Sequence, residues 1–158
     1  MNDASSVLGR QASSTFPTGR PLRILHVLDH SLPLHSGYTF RTLAILGQQR
    51  ALGWETMHLT GPKQGGARER EEHIDDWVFY RTPPASGVAA KLPIVQYRHL
   101  MKALQTRLAE VVENARPDII HAHSPVLNAF PALAVGRATC IPVVYEVRAF
   151  WEDAAVDL

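Results

Sequence analysis

The residues of this sequence with the widest chemical capability fall into three short groups. They combine imidazole, carboxylate, guanidinium and hydroxyl side chains, which can move protons or bind polar and anionic ligands. The first group is Asp29, His30, His35, Ser36 and Gly37, the second is His121, His123 and Ser124, and the third is Tyr145, Glu146, Arg148, Trp151, Glu152 and Asp153. Half-buried groups of these types need partners or a ligand, so we predict that the three groups share one cleft.

Each group stands at the end of a predicted strand. Apolar runs rich in branched residues predict strands at Leu22 to Leu28 and Ile141 to Val147, and alternation predicts one at Glu55 to Thr60. Two more strands are predicted at Trp77 to Tyr80 and Asp118 to His123. Helical spacing predicts helices after Ser36, from Pro93 to Arg116 and from Pro125 to Thr139. Strands that alternate with helices predict an α/β domain with a mostly parallel sheet, whose ligand crevice lies beyond the carboxyl ends of the strands.

The first strand, loop and helix form the stretch around which the other elements are predicted to assemble. Ser36 is a suitable N-cap, and Gly37 follows it. The free N–H groups of the first helical turn would face whatever lies above the strand end, which suits a phosphate. The apolar positions of this helix are Phe40, Leu43, Ala44, Gly47 and Ala51. The segment from Lys63 to Asp76 is interpreted as a solvated loop or short hairpin.

Three other site types are disfavoured. The His121-x-His123 spacing could hold a metal, but no cysteine or carboxylate lies nearby in the sequence, so hydrogen-bonding histidines are preferred and neither metal nor cofactor is expected. No serine stands in a Gly-x-Ser-x-Gly turn. The dinucleotide-binding glycine pattern and the P-loop are absent as well. Packing of the chain end explains Phe150 and Trp151 as well as ligand stacking does.

Composition limits the function classes. With 158 residues, 46% of them hydrophobic, the chain can bury one core. A net charge of +1 argues against nucleic-acid binding through bulk charge. The single cysteine, Cys140, excludes an internal disulfide, and the first residues lack the apolar run of a signal peptide, so a cytoplasmic location is expected. Residues 1–20 are predicted to be a disordered lead, and residues 21–158 to be one domain.

The predicted helix from Pro93 carries a basic stripe of Arg98, Lys102 and Arg107, with Lys91 just before it. A solvated face is the commoner explanation of such a stripe. The alternative is peripheral contact with an anionic membrane surface, which would place the protein at the inner membrane.

Three passages together resemble a known family: ILHVLDHSLPLHSGYTFRT, PDIIHAHSP and PVVYEVRAFWED. They are similar to the amino-terminal domain of glycosyltransferase family 4 (group 1), and most similar to the branch associated with the exosortase A and exopolysaccharide system. The resemblance extends from Pro21 to Leu158. It implies the Rossmann-like, three-layer amino-terminal half of a GT-B enzyme. Such an enzyme transfers a sugar, with retention, from a nucleotide diphosphate sugar to a glycan or lipid-linked acceptor.

The resemblance also implies roles for individual residues. Ser36 and Gly37 would approach the donor phosphates. Glu146 and Arg148, the catalytic candidates, would contact the sugar or acceptor, and Glu146 stands where several relatives have a histidine. The expected acceptor or sugar contacts are His35, Tyr38, Arg41, His121, His123, Ser124, Trp151 and Glu152.

The family's donor site, with its paired glutamates, belongs to a carboxyl-terminal domain that this sequence does not include. We therefore expect the chain to be a fragment of a hexosyltransferase and to be inactive alone. Two alternatives remain at this stage: a non-enzymatic flavodoxin-like binding module, and half of a sugar-nucleotide epimerase.

Overall fold

A computed structural model describes residues 19–65, 69–84 and 93–148 of the chain. The strands are β1 (Arg23–Leu28), β2 (Glu55–Thr60), β3 (Glu71–Ile74), β4 (Trp77–Arg81), β5 (Ile119–His123) and β6 (Val143–Glu146). The helices are α1 (Gly37–Ala51), α2 (Pro93–Ala115) and α3 (Val126–Thr139), with a single 3₁₀ turn at Pro62–Gln64. Among these described helices, none has the length and hydropathy needed to cross a membrane.

The strands form one sheet in the order β3-β4-β2-β1-β5-β6, in which only β3 runs antiparallel to its neighbour. The predicted α/β class with a mostly parallel sheet is therefore confirmed. From β1 the chain first adds strands on the β2 side and later adds β5 and β6 on the other side. This reversal makes the carboxyl ends of β1 and β5 the switch point of the sheet, where open α/β sheets bind ligands.

The two faces of the sheet differ in chemistry because successive strand residues point to opposite sides. One face contributes Leu25, Val27, Leu59, Ile120 and Ala122 to an aliphatic core shared with α2 and α3. The opposite face carries histidines on three adjacent strands. His58 of β2 pairs in register with His26 of β1, and His26 pairs with His121 of β5. The sheet thus has an apolar core on one side and a polar, histidine-rich layer on the other.

The long helix α2 packs as its pattern predicts. Leu104, Leu108, Val111 and Val112 are all buried. The predicted basic stripe is only partly exposed, however, because Arg107 is buried and donates to the carbonyl oxygens of Arg81 and Arg70. Arg107 therefore does not belong to a solvated or membrane-facing surface, whereas Arg98 and Lys102 are exposed.

Helix α1 begins as predicted but buries a different face. The Ser36 hydroxyl accepts from the Thr39 N–H at 3.1 Å and caps the helix. The buried residues are Thr39, Thr42 and Leu46, whereas Phe40 is 59% exposed. The apolar positions named from the sequence do not form the packed face, because α1 lies on the polar side of the sheet. There, Gln49 shares a hydrogen bond with His26 and Thr42 accepts one from Arg148.

Two differences concern the sheet edges. The sequence predicted five strands, but Glu71–Ile74 forms an additional edge strand that pairs antiparallel with β4, as a short hairpin would. The last predicted strand is shorter, ending at Glu146. Residues 1–18 of the predicted lead lie outside the described residues, and Arg20 already pairs with Asp118 at 2.5 Å.

Candidate functional site

The second and third sequence groups meet at the carboxyl edge of the sheet, at the switch point. His121 and His123 lie on β5, and His123 is paired in register with Glu146, the last residue of β6. Arg148 follows two residues later, and its backbone N–H donates to the Ser124 hydroxyl at 2.9 Å. Because the strands are parallel, their ends bring these residues together although they are far apart in sequence.

Glu146 is at the centre of this edge. One carboxylate oxygen, Oε1, lies 2.9 Å from Nη2 of Arg41 and 3.3 Å from Nε of Arg148. The other, Oε2, lies 3.0 Å from Nδ1 of His123 and 3.4 Å from Nε2 of His121. Two guanidinium groups against one carboxylate leave this group with a formal surplus of positive charge. Arg41 is the exposed member, with 58% of its side chain accessible.

The guanidinium group of Arg148 is held in place by contacts with α1. Its Nη1 donates to Thr42 Oγ1 at 2.8 Å and to the Tyr38 carbonyl at 3.2 Å, and its guanidinium lies 4.3 Å from the Tyr38 ring centre. Only 6% of its side chain is exposed. Arg148 therefore joins α1 to the end of β6, and its positive charge stabilises the carboxylate of Glu146.

A line of hydrogen bonds runs from Arg148 into the histidine layer. Nη2 of Arg148 lies 2.5 Å from His123 Nδ1, His123 Nε2 lies 2.8 Å from His26 Nδ1, and His26 Nε2 lies 2.8 Å from Gln49 Oε1. Arginine can only donate, so His123 donates in turn through Nε2, and His26 donates to Gln49. His123 Nδ1 also faces Glu146 Oε2, which as a carboxylate accepts only, so this nitrogen serves one of the two partners at a time.

The rings of this layer are neutral at pH 7. Burial lowers the pKa of His26 well below its usual range, and the neighbouring His121 and His58 lower it further. The pKa of His123 is lowered by burial first and then by His121, His26 and Arg148. Burial also lowers the pKa of His121, although Glu146 opposes this shift. Removal from water disfavours the charged ring, so each histidine acts as a neutral donor and acceptor.

The first sequence group forms the loop beside this edge. Ser36 Oγ shares a hydrogen bond of 2.8 Å with His30 Nε2, and the Tyr38 hydroxyl accepts from the Asp29 N–H at 3.1 Å. Burial raises the pKa of Tyr38 to about 12, so its hydroxyl stays protonated. A Cβ added at Gly37 would meet nothing within 4 Å. The fold itself therefore does not require glycine at this position.

Arg81 anchors the loop from below. Its fully buried guanidinium donates to Ser31 Oγ at 2.7 Å and to the Leu32 carbonyl at 2.5 Å, and it pairs with Glu72 at 2.7 Å. These bonds tie the loop after β1 to the end of β4. Arg81 was not predicted from the sequence as a site residue, because an arginine after an aromatic strand does not indicate which acceptors it will contact.

The structure connects most of the site residues named from the sequence. Those joined by direct contacts at the carboxyl edge are Tyr38, Arg41, His121, His123, Ser124, Glu146 and Arg148. Ser36 and Gly37 adjoin them through Tyr38. His35 is not part of this set, since it is exposed and stacks on Phe40. Trp151 and Glu152 lie outside the described residues.

Three residues of the site were missed from the sequence: His26, Thr42 and Gln49. His26 stands within the apolar run that predicts β1. Its alternation with Leu25 and Val27 could have indicated a polar face opposite His121 and His123. The third histidine also changes the metal question, because one ring nitrogen each of His26, His121 and His123 lies within 4.8 Å of the others. Glu146, distant in sequence, supplies the nearby carboxylate that the local sequence lacks.

Comparison with known proteins places the chain in a family. Residues 36–157, most of the chain, match the model of a family described as a glycosyl transferase 4-like domain. No curated protein matches the chain in sequence.

Solved structures with similar folds include both transferases and another class. The C-terminal domain of a Pyrococcus furiosus hydrogenase superposes with a TM-score of 0.55 at 13% identity, covering 84% of this chain and 97% of that one. The glycotransferase of kitacinnamycin gives 0.51 at 18% identity, covering 80% of this chain and 30% of that one. MurG of Acinetobacter baumannii gives 0.51 at 15% identity, covering 87% and 39%. Such identities show a shared fold alone. The chain spans between 30% and 39% of the length of these two transferases.

Proposed function

The chain belongs to the glycosyl transferase 4-like domain family, and from this premise we propose that it forms the acceptor-side wall of a retaining glycosyltransferase active site. The donor is a nucleotide diphosphate sugar, and a hexosyl group passes to a polysaccharide or lipid-linked glycan acceptor. The exosortase A and exopolysaccharide branch is the proposed setting, on the three sequence passages that resemble it.

The observation that carries this proposal is the surplus positive charge at the switch point of the sheet. Arg41 and Arg148 both contact Glu146, and Arg41 remains largely exposed. An exposed guanidinium group such as that of Arg41, at the carboxyl edge of a parallel sheet, can bind a phosphate or a sugar hydroxyl. This charge supports a ligand that carries phosphate, as a nucleotide diphosphate sugar does.

The beginning of α1 adds to the same field. The first N–H groups of a helix have no acceptor within it, and the helix dipole places partial positive charge at this end. Tyr38 brings this end within contact of Arg148. Since Gly37 leaves open space where a side chain would stand, an anionic group could approach the helix end closely. Electrostatic stabilisation of the departing diphosphate is the proposed role of this end.

Arg41 and Arg148 have different proposed roles because they differ in exposure. Arg148 is fixed by Thr42, Tyr38 and His123, so its proposed role is to hold Glu146 and to add charge from behind. Arg41 reaches solvent and is proposed to contact the ligand directly. Glu146 and His121, each partly accessible, are the proposed contacts for hydroxyl groups of the sugar or acceptor.

A second domain is part of the proposal. Transfer requires donor and acceptor to be held together, so this wall alone would provide no turnover. The donor-binding half would lie in a separate Rossmann-like domain of the natural protein. A cytoplasmic enzyme at the inner membrane fits a lipid-linked acceptor, with Arg98 and Lys102 as the exposed cations for anionic lipid.

The test is sugar transfer by the natural protein that contains this chain. It would be incubated with a panel of radiolabelled nucleotide diphosphate hexoses and lipid-linked acceptors, and proton NMR would give the anomeric configuration of the product. We expect one donor to be used with retention. Arg41→Ala should lower kcat/KM about tenfold to a hundredfold.

Arg137→Ala is the matched control, because Arg137 is an exposed arginine in the last turn of α3, away from the carboxyl edge. Its kcat/KM should stay at the wild-type value. An inverted product would contradict the retaining mechanism, and equal activity of both variants would contradict the role of Arg41.

A further inference from the structure

Three histidines on two adjacent strands converge on one point of the polar face. His121 and His123 are two residues apart on β5 and point to the same side of the sheet. His26 on β1 pairs in register with His121 and faces the same way. One ring nitrogen of each lies within 4.8 Å of the others. A pair of histidines spaced this way on one strand, with a third on the next strand, can surround a single ion.

We propose that His26, His121 and His123 form a binding site for a divalent transition metal of the zinc class. Imidazole nitrogen is a preferred ligand of zinc, and three protein nitrogens with one ligand from solvent make a four-coordinate site. This site is independent of the proposed sugar transfer, and neither the family match nor the compared structures assign it.

The three rings are close enough to bind one ion after local movements of their side chains. Two nitrogens bound to one tetrahedral zinc lie about 3.3 Å apart, given zinc–nitrogen bonds of about 2.0 Å. His26 Nδ1 and His123 Nε2 are 2.8 Å apart, so the ion would open this contact by about half an ångström. The rings of His121 and His123 are stacked with their centres 4.1 Å apart, so the half-buried His121 ring would turn to point its nitrogen at the ion.

Metal binding would exchange one hydrogen-bond pattern for another without losing a proton. At present His123 donates through Nε2 to His26, and its Nδ1 accepts from Arg148. With the metal on Nε2, the ring proton stands on Nδ1 and is donated to Glu146 Oε2, which is 3.0 Å away. Arg148 loses this acceptor but keeps Thr42 and the Tyr38 carbonyl.

Outer partners of the kind that metal-bound histidines need are already in position. A ligating histidine usually donates its other ring N–H to a carboxylate or carbonyl oxygen, which fixes the ring. Glu146 can serve His123 in this way, and Gln49 Oε1 lies 2.8 Å from His26 Nε2. An uncharged imidazole keeps one ring nitrogen free of a proton, so each ring can offer one lone pair to the ion. Glu146 compensates part of the charge that the ion adds beside Arg148.

The experiment is a titration of the purified chain at pH 7.5 with cobalt(II), a spectroscopic substitute for zinc, followed by competition with zinc. We expect the intense visible band of four-coordinate cobalt at one equivalent, displaced by zinc. His121→Asn should weaken cobalt affinity at least about a hundredfold, and Gln49→Leu about tenfold through the loss of an outer partner. His121 is only partly buried, so its replacement should leave the circular dichroism spectrum unchanged.

His58→Asn is the matched control, since His58 lies on the same face of the neighbouring strand but outside the set of three. This variant should keep the wild-type affinity. Absence of the band in the wild-type chain would overturn the proposal without any variant. A band that survives in His121→Asn would also overturn it, because exposed histidines such as His35 would then be the ligands.

Discussion

Nδ1 of His26 and Nε2 of His123 lie 2.8 Å apart across the seam between β1 and β5, with both side chains fully buried. This contact links Gln49, near the end of α1, to Arg148 at the carboxyl edge. The charged groups at the carboxyl edge are therefore supported by the packed interior of the sheet. Their positions depend on the polar layer beneath them.

Replacing His26 with leucine should destabilise the chain. The change keeps side-chain volume but leaves His123 Nε2 without its partner and removes the partner of Gln49 Oε1. A buried polar group without a partner costs about 1–3 kcal/mol, so urea unfolding should show a loss of that size. His99→Leu, the same substitution at an exposed position of α2, should change stability by no more than about 0.5 kcal/mol. Equal stability of both variants would mean that the hydrogen bonds add nothing.

Stability should fall as the pH drops below about 6.5, where an unfolded histidine begins to bind a proton. Burial lowers the pKa of His58 to about 4, against a favourable hydrogen bond to the Val78 carbonyl and with Arg50 opposing the charge. His26 is the titratable ring beside it, and Trp77 and Phe79 cover it.

Between these two pKa values the unfolded chain holds a proton on His58 that the native chain does not. The free energy of unfolding should therefore decrease by up to about 1.4 kcal/mol per pH unit from this residue. Urea midpoints measured from pH 7.5 to pH 5 check this. His58→Gln should reduce the slope without abolishing it, because His26 and His123 remain. If His58→Gln left the pH dependence of the free energy of unfolding unchanged, His58 would bind its proton equally well in the native and unfolded chain.

Gly136 should tolerate no side chain. A Cβ there would clash with Val143 Cγ2, in β6, and would stand 2.8 Å from the carbonyl oxygen of Ile141, two residues before β6. Gly136→Ala should therefore destabilise the chain by about 1–3 kcal/mol in thermal or urea unfolding. Gly47→Ala on α1 is the control, since nothing lies within 4 Å of its Cβ position. It should stabilise the helix by up to about 1 kcal/mol. A stable Gly136→Ala variant would show that α3 and β6 can separate without cost.

The α/β class, the helices and the Ser36 cap could be predicted because each rests on local pattern: apolar runs, helical spacing and a hydroxyl before a glycine. The packed face of α1 could not. Phe40 is exposed and Thr42 is buried because α1 covers histidines rather than an aliphatic layer. Which face of the sheet is polar depends on strand register, and no single stretch of sequence contains that information.

The site was predictable where its residues stand near the carboxyl end of a strand and unpredictable where they lie in the middle of an apolar strand or on a helix. His121, His123, Glu146 and Arg148 end up together because parallel strands end at one edge. His26 looked like part of an apolar strand, and its register with His121 shows that it belongs to the site. Arg81 was missed for a similar reason, since its acceptors belong to the loop before α1.

We propose that the donor phosphates approach the beginning of α1 beside Arg41 and Arg148. The most direct test is the rate of sugar transfer by the natural protein with Gly37→Leu, compared with Gly47→Leu in the same helix. Neither added side chain meets an obstacle at its Cβ position, so neither variant should lose thermal stability through a clash. We expect Gly37→Leu to lower kcat/KM at least about tenfold, because the side chain would keep the phosphates away from the helix end, and Gly47→Leu to retain the wild-type value. Wild-type transfer by Gly37→Leu would contradict this proposal.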